Sequence, residues 1–177
     1  MIHQKGPRRD HPLVVVDCGS TPTGLLESEL FGHIKGAFTQ AIRDKKGLIE
    51  ASDRGTLFLD EIGNISSEMQ VRLLRFLEGR KIRKVGGLKE VSVDCRVISA
   101  TNLDLPAEVE AGRFREDLYY RLRVVTLQIP PLRDRKEDIP LLAHEFVEEF
   151  CKREKRPLIK LSSETIEWLC EYSWPGN

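Results

Sequence analysis

Gly55-Thr56-Leu57-Phe58-Leu59-Asp60-Glu61 is the stretch on which the reading of this chain turns. An uncharged, largely apolar run bounded by Gly55 predicts a buried strand over Thr56 to Leu59. Open α/β sheets bind ligands at the carboxyl ends of their strands, and Asp60 and Glu61 are delivered to that edge. A carboxylate there suits the water shell of Mg²⁺, which takes one or two carboxylates together with phosphate oxygens. The neighbouring carboxylate can orient a water for attack on a γ-phosphate. This is the pattern of a Walker B motif. A strand that simply ends in solvated acids fits the same residues equally well.

The flanking sequence alternates between strand and helix patterns. Leu13-Val14-Val15-Val16, ending at Asp17, predicts another short buried strand. Leu25, Leu26, Leu30 and Phe31 are at helical spacing within Thr23 to Phe31, with Thr23 as a possible N-cap and Gly32 as the stop. Residues 32–46 have no clean period and predict an exposed excursion, followed by a short helix over Leu48 to Ala51. Ser66 to Glu78 is the clearest helix. Met69, Leu73, Phe76 and Leu77 share one face, Ser66 can cap the start and Gly79 the end. Gly86-Gly87 predicts the turn of a hairpin-like insertion over 80–91. Val93 to Ala100 reads as a third strand and Val124 to Ile129 as a fourth, stopped by Pro130-Pro131.

Strands separated by helices predict an α/β fold with a parallel sheet. From Asp134 onward only helices are expected. Ile139, Leu142, Phe146 and Phe150 make one amphipathic stripe, and Ser163 to Tyr172 another. The expected division is an α/β core over residues 1–133 and a small all-helical segment over 134–177.

Composition narrows the function classes. The 177 residues carry 28 Lys+Arg against 28 Asp+Glu, which excludes a strongly basic nucleic-acid-binding domain but not a local basic strip. Apolar residues make up 40% and charged residues 32%, the balance of a folded globular chain. The longest apolar run, Leu13 to Val16, is far below the roughly 20 residues of a membrane helix, so no membrane partner is expected. Cys18, Cys95, Cys151 and Cys170 form no C-x-x-C pair, which fits buried thiols in a reducing cytoplasm. His144-Glu145 opens an H-E-x-x-H pattern that fails at Glu148, so a helix-surface charge cluster is the better reading.

Two further features bear on chemistry. Arg115 and Arg121 lie within Gly112 to Leu122. Guanidinium groups suit bidentate phosphate contact, and in a ring such arginines can reach a neighbour's nucleotide. The alternative is a surface helix with Arg–Glu and Arg–Asp pairs. Thr101-Asn102 ends the third predicted strand, where a polar pair can sense a γ-phosphate or cap a turn.

With these residues assembled, the sequence resembles the central AAA+ ATPase domain of bacterial enhancer-binding proteins, the activators of sigma-54 RNA polymerase. The resemblance runs through Glu27 to His33, Lys35 to Thr39, Gly55 to Gly63, Gly112 to Leu122, Pro131 to Arg135 with Asp138-Ile139, and Trp174 to Asn177, in family order. It implies a P-loop NTPase-like core with a helical lid, and ATP and Mg²⁺ as ligands. Asp60 would serve the metal, Glu61 would activate water, and Thr101 and Asn102 would be the first sensor, Asn102 beside the nucleotide. Arg115 and Arg121 would be fingers acting in trans. Gly36, Ala37, Phe38, Thr39, Gln40 and Ala41 would form the loop that contacts the sigma factor, and residues 80–91 a second pore-side loop. Family members work as rings, usually hexamers or heptamers, with DNA contact in a further domain outside these residues.

The sequence departs from the family pattern at four places. It contains no G-x-x-x-x-G-K-[ST], so the family's phosphate loop and the strand feeding it are expected before Met1. The helix with the second sensor arginine is expected after Asn177. Gln40 stands where the family usually has Gly, and Asp17 where it often has an Asn that partners the Walker B glutamate as a switch. The expectation is part of an ATPase that cannot hydrolyse ATP alone. The alternative is a non-catalytic oligomerisation or protein-interaction module that retains the fold.

Overall fold

The computed structural model describes residues 1–177, the side chain of Thr23 excepted; Thr23 is the first residue of its helix and Pro22 takes the N-cap position expected for it. The chain packs as two compact units, Met1–Val124 and Val125–Asn177. In the first, the order is β1 (Leu13–Asp17), α1 (Thr23–Phe31), β2 (Gly32–His33), β3 (Lys45–Lys46), α2 (Leu48–Ala51), β4 (Thr56–Asp60), α3 (Ser67–Gly79), β5 (Lys81–Arg83), β6 (Glu90–Ser92), β7 (Arg96–Ser99), α4 (Leu105–Glu110) and α5 (Glu116–Leu122). The second contains α6 (Ile139–Arg153) and α7 (Ser163–Glu171).

β4 is the middle strand of a three-stranded parallel sheet ordered β1-β4-β7. Its Thr56, Leu57 and Leu59 are buried, as expected for a strand paired on both sides. The register sets Asp17 opposite Asp60 and Ser99 opposite Leu59, so the carboxyl ends of all three strands form one edge. The core beneath joins Leu57 and Leu59 to Leu26, Leu30, Ile49, Leu73, Phe76 and Leu118. α3 packs as its spacing predicts. Ser66 caps it by accepting a hydrogen bond from Met69 N at 3.3 Å, and Met69, Leu73, Phe76 and Leu77 face the core.

Several expectations are corrected. β1 is an edge strand rather than a buried one. Val16 is buried, but Val15 is 61% exposed because β1 has a partner on one side only among the described residues. The helix α3 does not end through Gly79. Arg80 takes the left-handed turn, with φ 52°, and its Nη1 donates to Cys95 O at 2.8 Å. The third strand is shorter than Val93 to Ala100. Asp94 O accepts from Arg54 N at 2.7 Å and Asp94 N donates to Asp53 Oδ1 at 2.8 Å, which removes both groups from any ladder. The residues before it instead form β6, which pairs antiparallel with β5 in the predicted hairpin.

Val124 to Ile129 forms no strand. Val124, Val125, Leu127 and Ile129 are exposed, and no strand pairs with this run among the described residues. β-branched composition favours a pleated, half-covered surface, but without a neighbouring backbone it cannot make a ladder. In the second unit Ile139 and Cys151 are buried, while Phe146 and Phe150 of the predicted stripe are exposed. Cys18, Cys95 and Cys151 are buried free thiols, and Cys170 is half-buried. No helix is long and apolar enough to cross a membrane among the described residues.

Gly55 is the point where the three strands are tied together. Thr56 N donates to Pro12 O at 2.8 Å and Arg96 N donates to Gly55 O at 3.0 Å. A Cβ on Gly55 would lie 2.0 Å from the Pro12 carbonyl oxygen, a backbone atom that cannot swing away. Gly55→Ala is therefore expected to cost about 1–3 kcal/mol of stability, the range of an overpacking substitution. Urea unfolding checks this: an unchanged midpoint would contradict the tight approach.

Candidate functional site

The carboxyl edge of the sheet gathers Asp17, Asp60, Glu61, Thr101 and Asn102 of the residues singled out by the sequence. Asp60 ends β4, and its Oδ1 accepts from Glu61 N at 2.9 Å. That contact leaves Oδ2 available to a ligand. The described residues contain no cluster of three or more His, Cys, Asp or Glu able to hold a metal. A metal at Asp60 would thus be held by one or two carboxylates and otherwise by water and ligand oxygens, which is the coordination Mg²⁺ prefers.

Glu61 has φ 52° and ψ 42°, the left-handed conformation, in which a non-glycine residue is strained by roughly 1–2 kcal/mol. It leads into a 3-10 turn, Ile62–Asn64, and its Oε2 accepts from Asn64 Nδ2 at 2.9 Å. The carboxylate lies directly over Gly19: a Cβ there would sit 1.7 Å from Glu61 Oε2. Neither Asn64 nor Gly19 was singled out by the sequence.

Asp17 is directly across from Asp60 in the register, but its carboxylate is occupied by its own loop. Oδ1 accepts from Gly19 N at 2.9 Å and Ser20 N at 3.0 Å. Hydrogen bonds from Ser20, through side chain and backbone, and from Gly19 hold its carboxyl below the ordinary value, so it is ionised at neutral pH. Asp17 therefore shapes the loop above Gly19, and the hydrogen-bond partner of Glu61 is Asn64. A cleft of about 300 Å³ opens beside this loop, lined by Gly19, Thr21, Asn64 and Ser66 among others.

β7 delivers Thr101 and Asn102, both exposed, to the same edge. Ala100 N donates to Leu59 O at 2.8 Å and Ile62 N to Ala100 O at 3.0 Å, tying this strand end to the Glu61 turn. Thr101 Oγ1 accepts from Leu103 N at 3.1 Å, and a Cβ on Gly63 would lie 3.0 Å from that oxygen. Asp60, Glu61, Thr101 and Asn102 are thus brought together, with Asp17 beside them.

The two arginines lie on a different element. Arg115 is the N-cap residue of α5, and its guanidinium grips Asp117 through Nε at 3.0 Å and Nη2 at 2.7 Å. Arg121 Nη2 donates to Leu77 O at 3.1 Å. The surface-helix reading and the phosphate reading therefore describe the same residues: each guanidinium has a protein partner that it must exchange to meet a phosphate.

The loop Gly36 to Ala41 projects from the β2–β3 ribbon. Gly36 N donates to Ala41 O at 2.8 Å across its neck, and Ala41 N donates to Phe38 O at 2.9 Å. Gly36 takes the left-handed conformation, with φ 82°, whereas Gln40 does not, so the side chain at position 40 needs no glycine. Phe38 is 41% exposed, with its ring edge-on to His33 at 4.9 Å, and buried Ser28 Oγ lies 2.7 Å from His33 Nδ1. The β5–β6 hairpin supports this loop. Ile34 N donates to Val85 O at 3.1 Å, and a Cβ on Gly86 would meet Ala37 Cβ at 2.8 Å.

Cys18 lies under the same edge. Burial, and then the charges of Asp17, Asp60 and Glu61, push its thiol up to about 12. An unfolded cysteine ionises near pH 8.5. The protonated thiol therefore adds stability that is complete below that pH and is lost as the pH rises towards about 12. Iodoacetamide at pH 9.5 is expected to leave Cys18 unmodified in the folded chain and to label it rapidly in urea; equal labelling would contradict the burial. Gly19→Ala is expected to displace the Glu61 carboxylate and break its bond to Asn64, a change that the Asn64 side-chain amide resonances would report.

Comparison with known proteins identifies the family of the fold. Residues 1–128 match the Sigma-54 interaction domain and residues 133–177 match the AAA+ ATPase lid domain. The chain is 51% identical to the response regulator protein PilR of Pseudomonas aeruginosa over all of its own length and 40% of that protein. It is 51% identical to the transcriptional regulatory protein ZraR of Escherichia coli over 99% of this chain and 40% of that one. It therefore spans about 40% of the length of these curated relatives. The crystal structure of NtrX from Brucella abortus superposes with a TM-score of 0.90 at 35% identity, covering 99% of this chain and 39% of that one. NtrX has also been solved in complex with ATP, with a TM-score of 0.88 to this chain. With both of its parts matched in this way and about half of its residues shared with these regulators, the chain belongs to the Sigma-54 interaction domain family, joined to an AAA+ ATPase lid domain.

Proposed function

We propose that this chain is part of an ATP-dependent activator of sigma-54 RNA polymerase. The activator assembles as a ring, hexameric or heptameric, and couples ATP hydrolysis to remodelling of the closed promoter complex. The observation that carries the reading is the convergence of Asp60, Glu61, Thr101 and Asn102 on one sheet edge of a family fold. A Mg²⁺ held at this edge would supply positive charge to offset that of the phosphates. Asp60 would hold its water shell through Oδ2. Glu61 would leave Asn64 and orient the attacking water, with Thr101 and Asn102 positioned towards the γ-phosphate. Arg115 and Arg121 would leave Asp117 and Leu77 O and reach a neighbouring subunit's nucleotide.

The loop Gly36 to Ala41 would carry the mechanical output, presenting Phe38 and Thr39 to the sigma factor. The ordinary backbone at Gln40 supports retention of that contact. DNA recognition would reside in a domain outside these residues, in keeping with the neutral net charge. A regulator of this kind acts in the cytoplasm. The 177 residues contain no G-x-x-x-x-G-K-[ST] cradle for the phosphates, so taken alone they would turn over no ATP.

Phosphate release from the purified chain tests the last point: turnover on the order of 1 s⁻¹, within the ordinary enzyme range, would refute it. The sigma contact is tested by pull-down of the sigma factor with the full-length gene product and a nucleotide transition-state mimic. Phe38→Ala is expected to abolish capture and Gln40→Gly to leave it within about twofold, since no left-handed residue is needed at position 40. A large gain with Gln40→Gly would favour the reading as a non-catalytic interaction module.

A further inference from the structure

Gln70 is the polar side chain in the apolar face of α3. It is 1% exposed and sits among Met69, Leu73, Phe76 and Leu77. A buried carboxamide is destabilising unless its donors and acceptor find partners. Here Nε2 donates to Ile65 O at 3.2 Å and to Arg113 O at 3.0 Å, while Oε1 accepts from Arg115 N at 2.8 Å. The orientation of the amide follows from these partners, because two carbonyls require donors and one N–H requires an acceptor. A side chain present only to fill space in the core would be better served by leucine or methionine.

The three partners belong to two different working parts. Ile65 directly follows the turn Ile62–Asn64, whose Asn64 holds the Glu61 carboxylate at 2.9 Å. Arg113 and Arg115 form the segment that enters α5, and Arg115 is its N-cap residue. One buried amide thus ties the backbone just after the Walker B carboxylates to the backbone that carries the first arginine. Both connections are hydrogen bonds of fixed direction in a packed interior, which transmits displacement because it cannot absorb it.

We propose that Gln70 is a positioning residue that couples the Glu61 turn to Arg115 within one subunit, so that a rearrangement at one is felt at the other. Under the functional reading above, on which this consequence rests, Glu61 works on the subunit's own nucleotide and Arg115 on its neighbour's. Gln70 then links successive sites around the ring.

The coupling is measurable on the 177-residue chain itself, without nucleotide, by two-dimensional ¹H–¹⁵N spectroscopy. Glu61→Gln removes the charge that Asn64 holds, and is expected to shift both the Arg115 backbone amide and the Gln70 side-chain amide. In a Gln70→Met background, which keeps the volume and removes the amide, the Arg115 shift is expected to vanish. The Arg115 amide is also expected to exchange about tenfold faster with solvent there. If Gln70→Met does not fold, the unmutated chain still decides the question. Gln70 side-chain protons that exchange as fast as those of an exposed glutamine, or that do not respond to Glu61→Gln, overturn the coupling. An Arg115 shift that persists undiminished in Gln70→Met overturns it as well. The ring reading fails separately: Arg115→Ala with unchanged ATP turnover in the full-length oligomer would remove the finger role while leaving the coupling intact.

Discussion

The parallel pairing of β4 with β1 and β7 is the constraint on which the rest of this structure depends. Parallel strands deliver their carboxyl ends to the same edge, and the register sets Asp17 beside Asp60 and the end of β7 beside Leu59. A slip of one residue would turn Leu57 and Leu59 out of the core and move Asp60 away from the edge. The burial of those two leucines therefore holds the carboxylates in place. The packing of the core and the placement of the candidate site depend here on the same five-residue strand.

The surroundings of that edge are held by backbone geometry more than by charge. Glu61 is placed by a left-handed backbone and the absence of a side chain at Gly19. Asp17, an ionised neighbour, is turned aside by two N–H groups of its own loop. Two carboxylates on adjacent strands would otherwise repel one another. Arg115 shows the same economy at α5, where its charge is balanced by Asp117 two residues on. Asp17, Glu61 and Arg115 each have a partner within three residues along the chain, whereas Arg121 reaches the Leu77 carbonyl on α3.

Much of this was legible in the sequence, and the limits have physical causes. Thr56 to Leu59 was readable because a strand covered on both faces is a continuous uncharged run, and Ser66 to Glu78 because it buries one face and so leaves a period. The hairpin over 80–91 was readable because Gly86-Gly87 marks its turn. Val124 to Ile129 has the composition of a strand, yet a strand is a relation between two segments, and composition describes only one. Arg80 was hidden because a left-handed residue held by a distant carbonyl carries no local signature. Gln70, Asn64 and Gly19 were hidden for a related reason. Their importance lies in partners 3 to 45 residues away, set by packing and not by spacing along the chain.

The backbone of Glu61 has one more consequence. Its conformation is one that glycine adopts freely and glutamate does not. Replacing Glu61 by glycine would relieve that strain while deleting the carboxylate, so the residue best suited to the local backbone lacks the group that the proposed function assigns to this position. Selection for thermal stability alone would drift this position towards glycine. A glutamate there is held at a cost to the local backbone, legible in a single dihedral angle.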